Sequence, residues 1–326
     1  MEDSKLIYAP VIITTLCRYE HFKRCVESLA RCTGADKTEL YVGLDAPVKE
    51  NHKDGYQKIN QYVDTIIGFK AVHVFRRDVN YGPVKNDLDL KKQVEKRFDR
   101  YISTEDDNEF SPNFLVYMNK GLELYKDDPK VLAICGYSYP FDHWKNIRGY
   151  EYNAYPIHAF CAWGVGCWVK KRISSFVNSE SAYQVIHSWR LVYKMFRKKQ
   201  HITIHRLLFR NKTAYGDLMI RVYCALNDVY CIFPSLSKVR NYGFDGSGLN
   251  CKTNSLYVRQ EIDTQPYFEF DNFEIREYEP LKKIQDKEYG GTWINRRMCE
   301  VEYLFFRMFG ANITDIRRFF RRKICK

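Results

Sequence analysis

Through residue 136, short apolar runs alternate with helical stripes, and that alternation leaves few folds open to the chain. Pro10-Val11-Ile12-Ile13-Thr14-Thr15 reads as a buried-type strand, and Glu39 to Asp45 and Ala71 to Phe75 read as a second and a third strand. Between them, Phe22, Cys25, Val26 and Leu29 recur at helical spacing and are closed by Gly34; Tyr56, Ile59, Val63 and Ile66 form the next stripe. A third helical stretch covers Leu88 to Phe98, and Val131 to Gly136 is a further buried-type strand. The pattern predicts an α/β fold with a mainly parallel sheet flanked by helices. In such sheets ligands sit beyond the carboxyl ends of the strands. Thr14-Thr15-Leu16-Cys17-Arg18, Asp45 and Glu105-Asp106-Asp107 all fall at strand ends. There is neither a GxGxxG nor a Walker A sequence, which removes the main support for dinucleotide and P-loop readings.

The acidic triplet stands in Tyr101 to Gly121, between the short run Arg100 to Thr104 and a helix signalled by Ser111-Pro112 and by Phe114, Leu115, Met118, Leu122 and Tyr125. Arg100 to Thr104 makes a weak strand for a sheet centre. Three adjacent carboxylates repel one another unless a cation holds them, and Mg2+ and Mn2+ take carboxylate and phosphate oxygens. A solvated acidic turn is the other reading.

The pattern E-D-D-x-E-x-x-P-x-F, with the strand and helix Val11 to Arg18 and Arg24 to Leu29, resembles inverting GT-A-fold glycosyltransferases. The likeness is to the N-acetylglucosaminyltransferase I type and to bacterial family-2-like polysaccharide glycosyltransferases, and it covers roughly residues 8 to 251. It implies a Rossmann-like GT-A fold and a nucleotide-sugar donor, UDP-linked, bound with Mn2+ or Mg2+. Asp107 would bind the metal, Asp106 the ribose, Arg18 the donor phosphates and Asp45 the uracil ring. Thr14, Thr15 and Glu105 would line the donor site. Arg18 could otherwise be a surface arginine and Asp45 a turn residue before Pro47. The histidine that such relatives place near the base has no counterpart in Arg77 to Gly82.

The second half carries the acceptor side of the same resemblance. Residues 137 to 157 are irregular and aromatic, suited either to a sugar platform or to plain loop packing. Phe160 to Trp168, containing Trp163 and Gly164, resembles the small-residue strand beneath the donor sugar. Ala182, Val185, Ile186, Trp189, Val192, Tyr193 and Phe196 make one helical stripe. Asp217, ahead of Arg221, matches the general base that opens a helix in these enzymes, since a sugar hydroxyl attacks only when a carboxylate accepts its proton. A helix-capping role is its alternative. Asn241 to Cys251, with Gly243, Gly246 and Gly248, reads as a mobile lid, with Asn250 and Cys251 where relatives carry a metal-ligand histidine. Residues 252 to 295 read as irregular surface structure.

Net charge is +12, but residues 181 to 216 alone carry eight Lys/Arg and no acid, and 307 to 326 carry seven against one Asp. Two basic segments on a nearly neutral body point to an anionic surface or a polyanionic partner. In the second, Ile313, Ile316, Phe320 and Ile324 follow at helical spacing with Arg317, Arg318, Arg321, Arg322 and Lys323 beside them, as in an interfacial membrane helix; docking on the catalytic body is the other reading. The chain shows no apolar run of membrane-spanning length and no signal peptide at Met1 to Lys5. Eleven cysteines without a CxxC pair or a zinc-type Cys/His spacing predict reduced thiols and no structural zinc. Three parts are expected: a donor half over 1–136, an acceptor and catalytic-base half over 137–295, and a basic tail over 296–326. The chain reads as a cytoplasmic enzyme, peripheral on the inner face of the cell membrane, acting on a glycan or lipid-linked acceptor in surface polysaccharide synthesis. Two rivals are a sugar-phosphate nucleotidyltransferase, whose glycine-rich loop after the first strand is missing, and a basic membrane- or nucleic-acid-binding protein. Nucleic acid is not expected as a partner, because the acidic triplet opposes it.

Overall fold

The expected α/β architecture is found, as one eight-stranded sheet with helices on both faces. The structure is a computed structural model that describes residues 6–140, 144, 147–209, 216–247 and 253–310. Strands β1 (Val11–Thr15), β2 (Glu39–Leu44), β3 (Ala71–Arg76) and β4 (Arg100–Glu105) are parallel neighbours in the order β3-β2-β1-β4. The chain builds outward from β1 to β3, then returns to lay β4 on the other side of β1. Such a reversal opens a crevice beyond the carboxyl ends of the two strands where it occurs.

Past β4 the sheet becomes mixed. Antiparallel β8 (Val165–Trp168) sits between β4 and β6 (Val131–Cys135), and β9 (Tyr230–Pro234) and β7 (Ala154–Ile157) complete the edge. Strands from both sides of residue 136 therefore share one sheet. A separate ribbon pairs β5 (Asn108–Phe110) with β10 (Val239–Asn241).

Side-chain alternation along β1 explains the layers. Val11 and Ile13 pack with Phe22 and Val26 of α1 (Tyr19–Ala30), Ile59 of α2 (Lys53–Tyr62) and Phe114 of α4 (Phe114–Leu124). Ile12 points the other way, to Tyr41, Tyr101 and the Leu90 and Val94 of α3 (Gly82–Glu95). Each such buried aliphatic side chain is worth roughly 1.5–3 kcal/mol, so a one-residue slip of β1 is heavily penalised. The weak-looking β4 lies at the sheet centre after all. Its Tyr101 and Ile102 are buried, and its Arg100 is paired with Glu123 at 2.9 Å and Asp99 at 3.2 Å.

Several expected elements shift. Helix α4 begins after Asn113 and not at Ser111, because pairing of β5 with β10 keeps the chain extended to Phe110; Ser111 Oγ instead donates to Asn113 Oδ1 at 2.9 Å. The stripe expected over 182–196 is two helices, Ser179–His187 and Trp189–Arg197, split where Ser188 Oγ accepts from Leu191 N at 3.4 Å. They pack with helices His201–Phe209 and Gly216–Asn227 around Val185, Val192, Ile204 and Met219. The stretch expected to be irregular holds helix Glu279–Gly290, whose buried apolar side chains, Leu281 and Tyr289, are too few to make a legible stripe. Helix Trp293–Phe309 follows and ends at Gly310, in the left-handed conformation with φ 66°. The boundary expected at residue 296 falls inside this helix, whose Tyr303 is buried in the helical layer. The basic segment 311–326, with Asn250, Cys251 and Gly248 of the glycine loop, lies outside the described residues.

Candidate active site

The crevice between β1 and β4 is floored by the acidic turn. Thr15, the last residue of β1, donates from Oγ1 to Asp106 Oδ2 at 2.8 Å. Arg18, at the start of α1, pairs with Asp106 and lies 2.9 Å from Asp107 Oδ2. Burial alone would lower the Arg18 pKa, but Asp106 and then Asp107 more than offset this and hold it charged above its usual range. Burial also pushes the Asp106 carboxyl up, against the pull of Arg18.

Asp107 is held from its other side. Asn241 Nδ2 donates to Asp107 Oδ1 at 2.8 Å and to Asn108 Oδ1 at 2.9 Å, while Tyr242 N donates to the Asp107 carbonyl at 2.8 Å. Gly243 packs directly on the carboxylate: a Cβ there would sit 2.2 Å from Asp107 Oδ2. The root of the glycine loop is thus fastened to the acidic turn, and Arg240 and the Tyr242 hydroxyl each reach Glu109 at 3.0 Å. His21 of α1 adds a tie from Nε2 to Asp245 Oδ2 at 3.1 Å. The sequence named this loop for its glycines; the roles of Asn241 and His21 were missed, since no spacing signals a contact across the fold.

Glu105 ends β4, directly before the acidic pair Asp106-Asp107. Water reaches it, yet protein surrounds it, as expected of a group on the floor of a concavity. Its pKa is pushed up to about 8, first by desolvation, then by Asp107, Asp217 and Asp106, with Arg18 pulling the other way. Asp217, exposed in the first turn of helix Gly216–Asn227, therefore acts on the same space as the acidic turn. The folded protein holds a proton on Glu105 that the unfolded chain releases near the ordinary 4.5, so this contribution to stability is present in acid and lost as pH rises through about 8. In metal-free buffer the melting temperature should fall across that rise, and Glu105→Gln should flatten the slope. An equal slope in the variant would place the titration elsewhere.

The remaining expected residues divide. Thr14 is partly exposed at the end of β1. Trp163 lies edge-on to Tyr137 (4.7 Å between centroids), Tyr257 (5.4 Å) and Phe244 of the glycine loop (5.6 Å), an aromatic wall beside the crevice. Gly164 is glycine because its φ is 68° and Phe114 and Val239 occupy the space of a Cβ; the crowding comes from the core. Asp45 is buried, and its carboxylate accepts from Ala46 N (3.0 Å), Tyr81 N (2.8 Å), Gly82 N (2.8 Å) and Asn80 Nδ2 (3.2 Å). Four donors fill a carboxylate, so Asp45 fixes the loop that enters α3. A hollow of about 430 Å³ on the outer side of α3, lined by Tyr81, Val84 and Lys92, includes none of the site carboxylates.

No protein-family profile matches the chain, and no curated protein matches it in sequence. Among solved structures, TarS of S. aureus is similar over 38% of this chain and 21% of its own, at 15% identity and a TM-score of 0.29. Its 1–349 fragment is similar over 70% of this chain and 60% of its own, at 11% identity and 0.39. The mannosyltransferase PcManGT from Pyrobaculum calidifontis, solved with GDP-Man and Mn2+, is similar over 67% and 69%, at 10% identity and 0.38. Likeness at these TM-scores fixes neither activity nor family, and the site itself carries the functional conclusion.

Proposed function

We propose that this chain is a metal-dependent inverting glycosyltransferase of the GT-A type, moving a sugar from a UDP-linked donor to a glycan or lipid-linked acceptor. What supports the reading is the contact of Arg18 with Asp106 and Asp107 at the crevice where the strand order reverses, with Asp217 near enough for its charge to raise the Glu105 carboxyl. Glu105, Asp106, Asp107 and Asp217 bring more carboxylates than Arg18 offsets, and desolvation first, then these neighbours, push the Glu105 carboxyl up.

That surplus suits a hard divalent cation. Asp107 has one oxygen on Asn241 and the other near Arg18, and each oxygen keeps a second lone pair. Mg2+ and Mn2+ bind through one or two carboxylates together with substrate phosphates and water, so a single Asp107 meets the need. When bound, the ion would offset charge developing on the departing diphosphate. Arg18 supplies a planar cation for the donor phosphates. Asp106 is positioned by Thr15 for the ribose, and Asp45 acts through the Asn80–Gly82 loop it holds beside the base. Trp163 borders the donor sugar. Asp217 accepts the acceptor hydroxyl proton as that oxygen bonds to the anomeric carbon and the bond to the diphosphate breaks, a single displacement that inverts the centre. The donor half over 1–136 and acceptor half over 137–295 remain our assignment.

We place the enzyme at an anionic membrane surface, in bacterial surface polysaccharide synthesis. No helix among the described residues is long and apolar enough to cross a membrane. Helix Trp293–Phe309 instead exposes Ile294, Met298, Val301 and Met308 along one side. Exposed Trp189 packs edge-on to Tyr303 of that helix at 5.1 Å, exposed Tyr193, Arg190 and Arg197 share the helix of Trp189, and the basic segment 311–326 follows in sequence. Bulky apolar side chains with clustered cations fit a bilayer interface, at about 1 kcal/mol per basic residue. Sedimentation with anionic liposomes should be lost at high salt and on deletion of 311–326, with soluble transfer retained. Equal binding after deletion would remove the tail from this role.

The activity is tested by nucleotide release from UDP-, GDP- and dTDP-sugars with and without Mn2+. Metal-dependent release from a UDP-sugar is expected; no release from any donor with any acceptor mimic would sink the assignment.

A further inference from the structure

A second polar cluster lies between two helices away from the crevice. His205 projects from helix His201–Phe209, and Cys299 and Glu302 project from helix Trp293–Phe309. One ligand atom from each lies within 4.8 Å of the other two, the one such three-residue grouping among the described residues. His205 Nδ1 and Glu302 Oε2 are 2.6 Å apart, and Cys299 is buried beside them. One helical turn earlier, buried His201 faces Glu300 at 3.2 Å across the same interface.

We propose that His205, Cys299 and Glu302 bind a transition-metal ion, Zn2+ by their chemistry, that clasps helix Trp293–Phe309 to the helical layer. Imidazole nitrogen, thiolate sulfur and carboxylate oxygen are the zinc donor set, whereas Mg2+ and Ca2+ avoid sulfur. Zinc bond lengths of about 2.0–2.3 Å place tetrahedral ligands roughly 3.3–3.6 Å apart. Small side-chain rotations reach that spacing from a cluster bounded by 4.8 Å. Solvent access exists, since the His205 side chain is 40% exposed, and water completes the coordination. As the sulfur–metal bond forms, the thiol proton leaves to solvent. The site was invisible to spacing rules because His205 and Glu302 stand 97 residues apart. Its consequence is mechanical. The outer side of the helix presents Ile294, Met298, Val301 and Met308, and a metal on its inner side resists its removal from the body.

The test uses the full chain, stripped with chelator and titrated with Co2+. One equivalent should bind with thiolate-to-cobalt charge-transfer absorption in the near ultraviolet, and Zn2+ should displace it and raise the melting temperature. Cys299→Ser should abolish the band, Glu302→Gln should weaken Co2+ binding about tenfold or more, and Asp107→Asn should leave the band intact. Absence of the band in folded wild-type protein, or its persistence in Cys299→Ser, would overturn the site. Should Cys299→Ser fail to fold, folded Glu302→Gln and His205→Gln decide the matter, and unchanged affinity in both overturns it.

Discussion

Asp107→Asn should reduce metal-dependent donor turnover roughly a hundredfold or more, with the fold preserved. The side chain keeps its shape, and its remaining carbonyl oxygen can still accept from Asn241, now 2.8 Å away. The anionic oxygen 2.9 Å from Arg18 is lost, and with it the hard donor proposed for the divalent ion. Arg18 stays paired with Asp106, so little destabilisation is expected. Circular dichroism and thermal melting check the fold, and released nucleotide checks turnover. Near-normal turnover in the folded variant would remove Asp107 from the metal site.

The second large effect is expected at Asp217. Asp217→Asn should leave donor binding intact and lower transfer by roughly two orders of magnitude or more, because the amide cannot accept the hydroxyl proton. Its place in the first turn of helix Gly216–Asn227 also gives it a dipole role worth about 0.3–1 kcal/mol. The two roles separate cleanly. A drop in melting temperature with full transfer would identify a helix-terminal residue, whereas lost transfer with intact melting and donor binding identifies the base.

What could be read from the chain follows from sequence distance. Strands β1 and β2 were legible because parallel strands buried on both faces must be almost wholly apolar, and the carboxyl ends of β1 and β4 bring Thr15, Arg18 and Asp106 beside one another. The contacts that complete the site were not. Asn241 meets Asp107 across 134 residues, through a ribbon of two three-residue strands with no pattern of their own. Asp45 was found at its strand end, but three of its four donors, from Asn80, Tyr81 and Gly82, belong to a later loop. Gly164 was singled out for a ligand's approach, and Phe114 supplies the crowding. Helix Glu279–Gly290 was lost because its apolar face is sparse, and the split at Ser188 because two short helices share one stripe.

The central claim is that Asp107 couples a divalent cation to a nucleoside diphosphate. The most direct measurement is calorimetric binding of UDP to the full chain with and without Mn2+, in wild type and in Asp107→Asn. The account predicts that Mn2+ tightens UDP binding at least about tenfold in the wild type, a coupling of about 1.4 kcal/mol, and has no such effect in the variant. Equal UDP affinity with and without Mn2+ in the wild type, or identical coupling in Asp107→Asn, would contradict it.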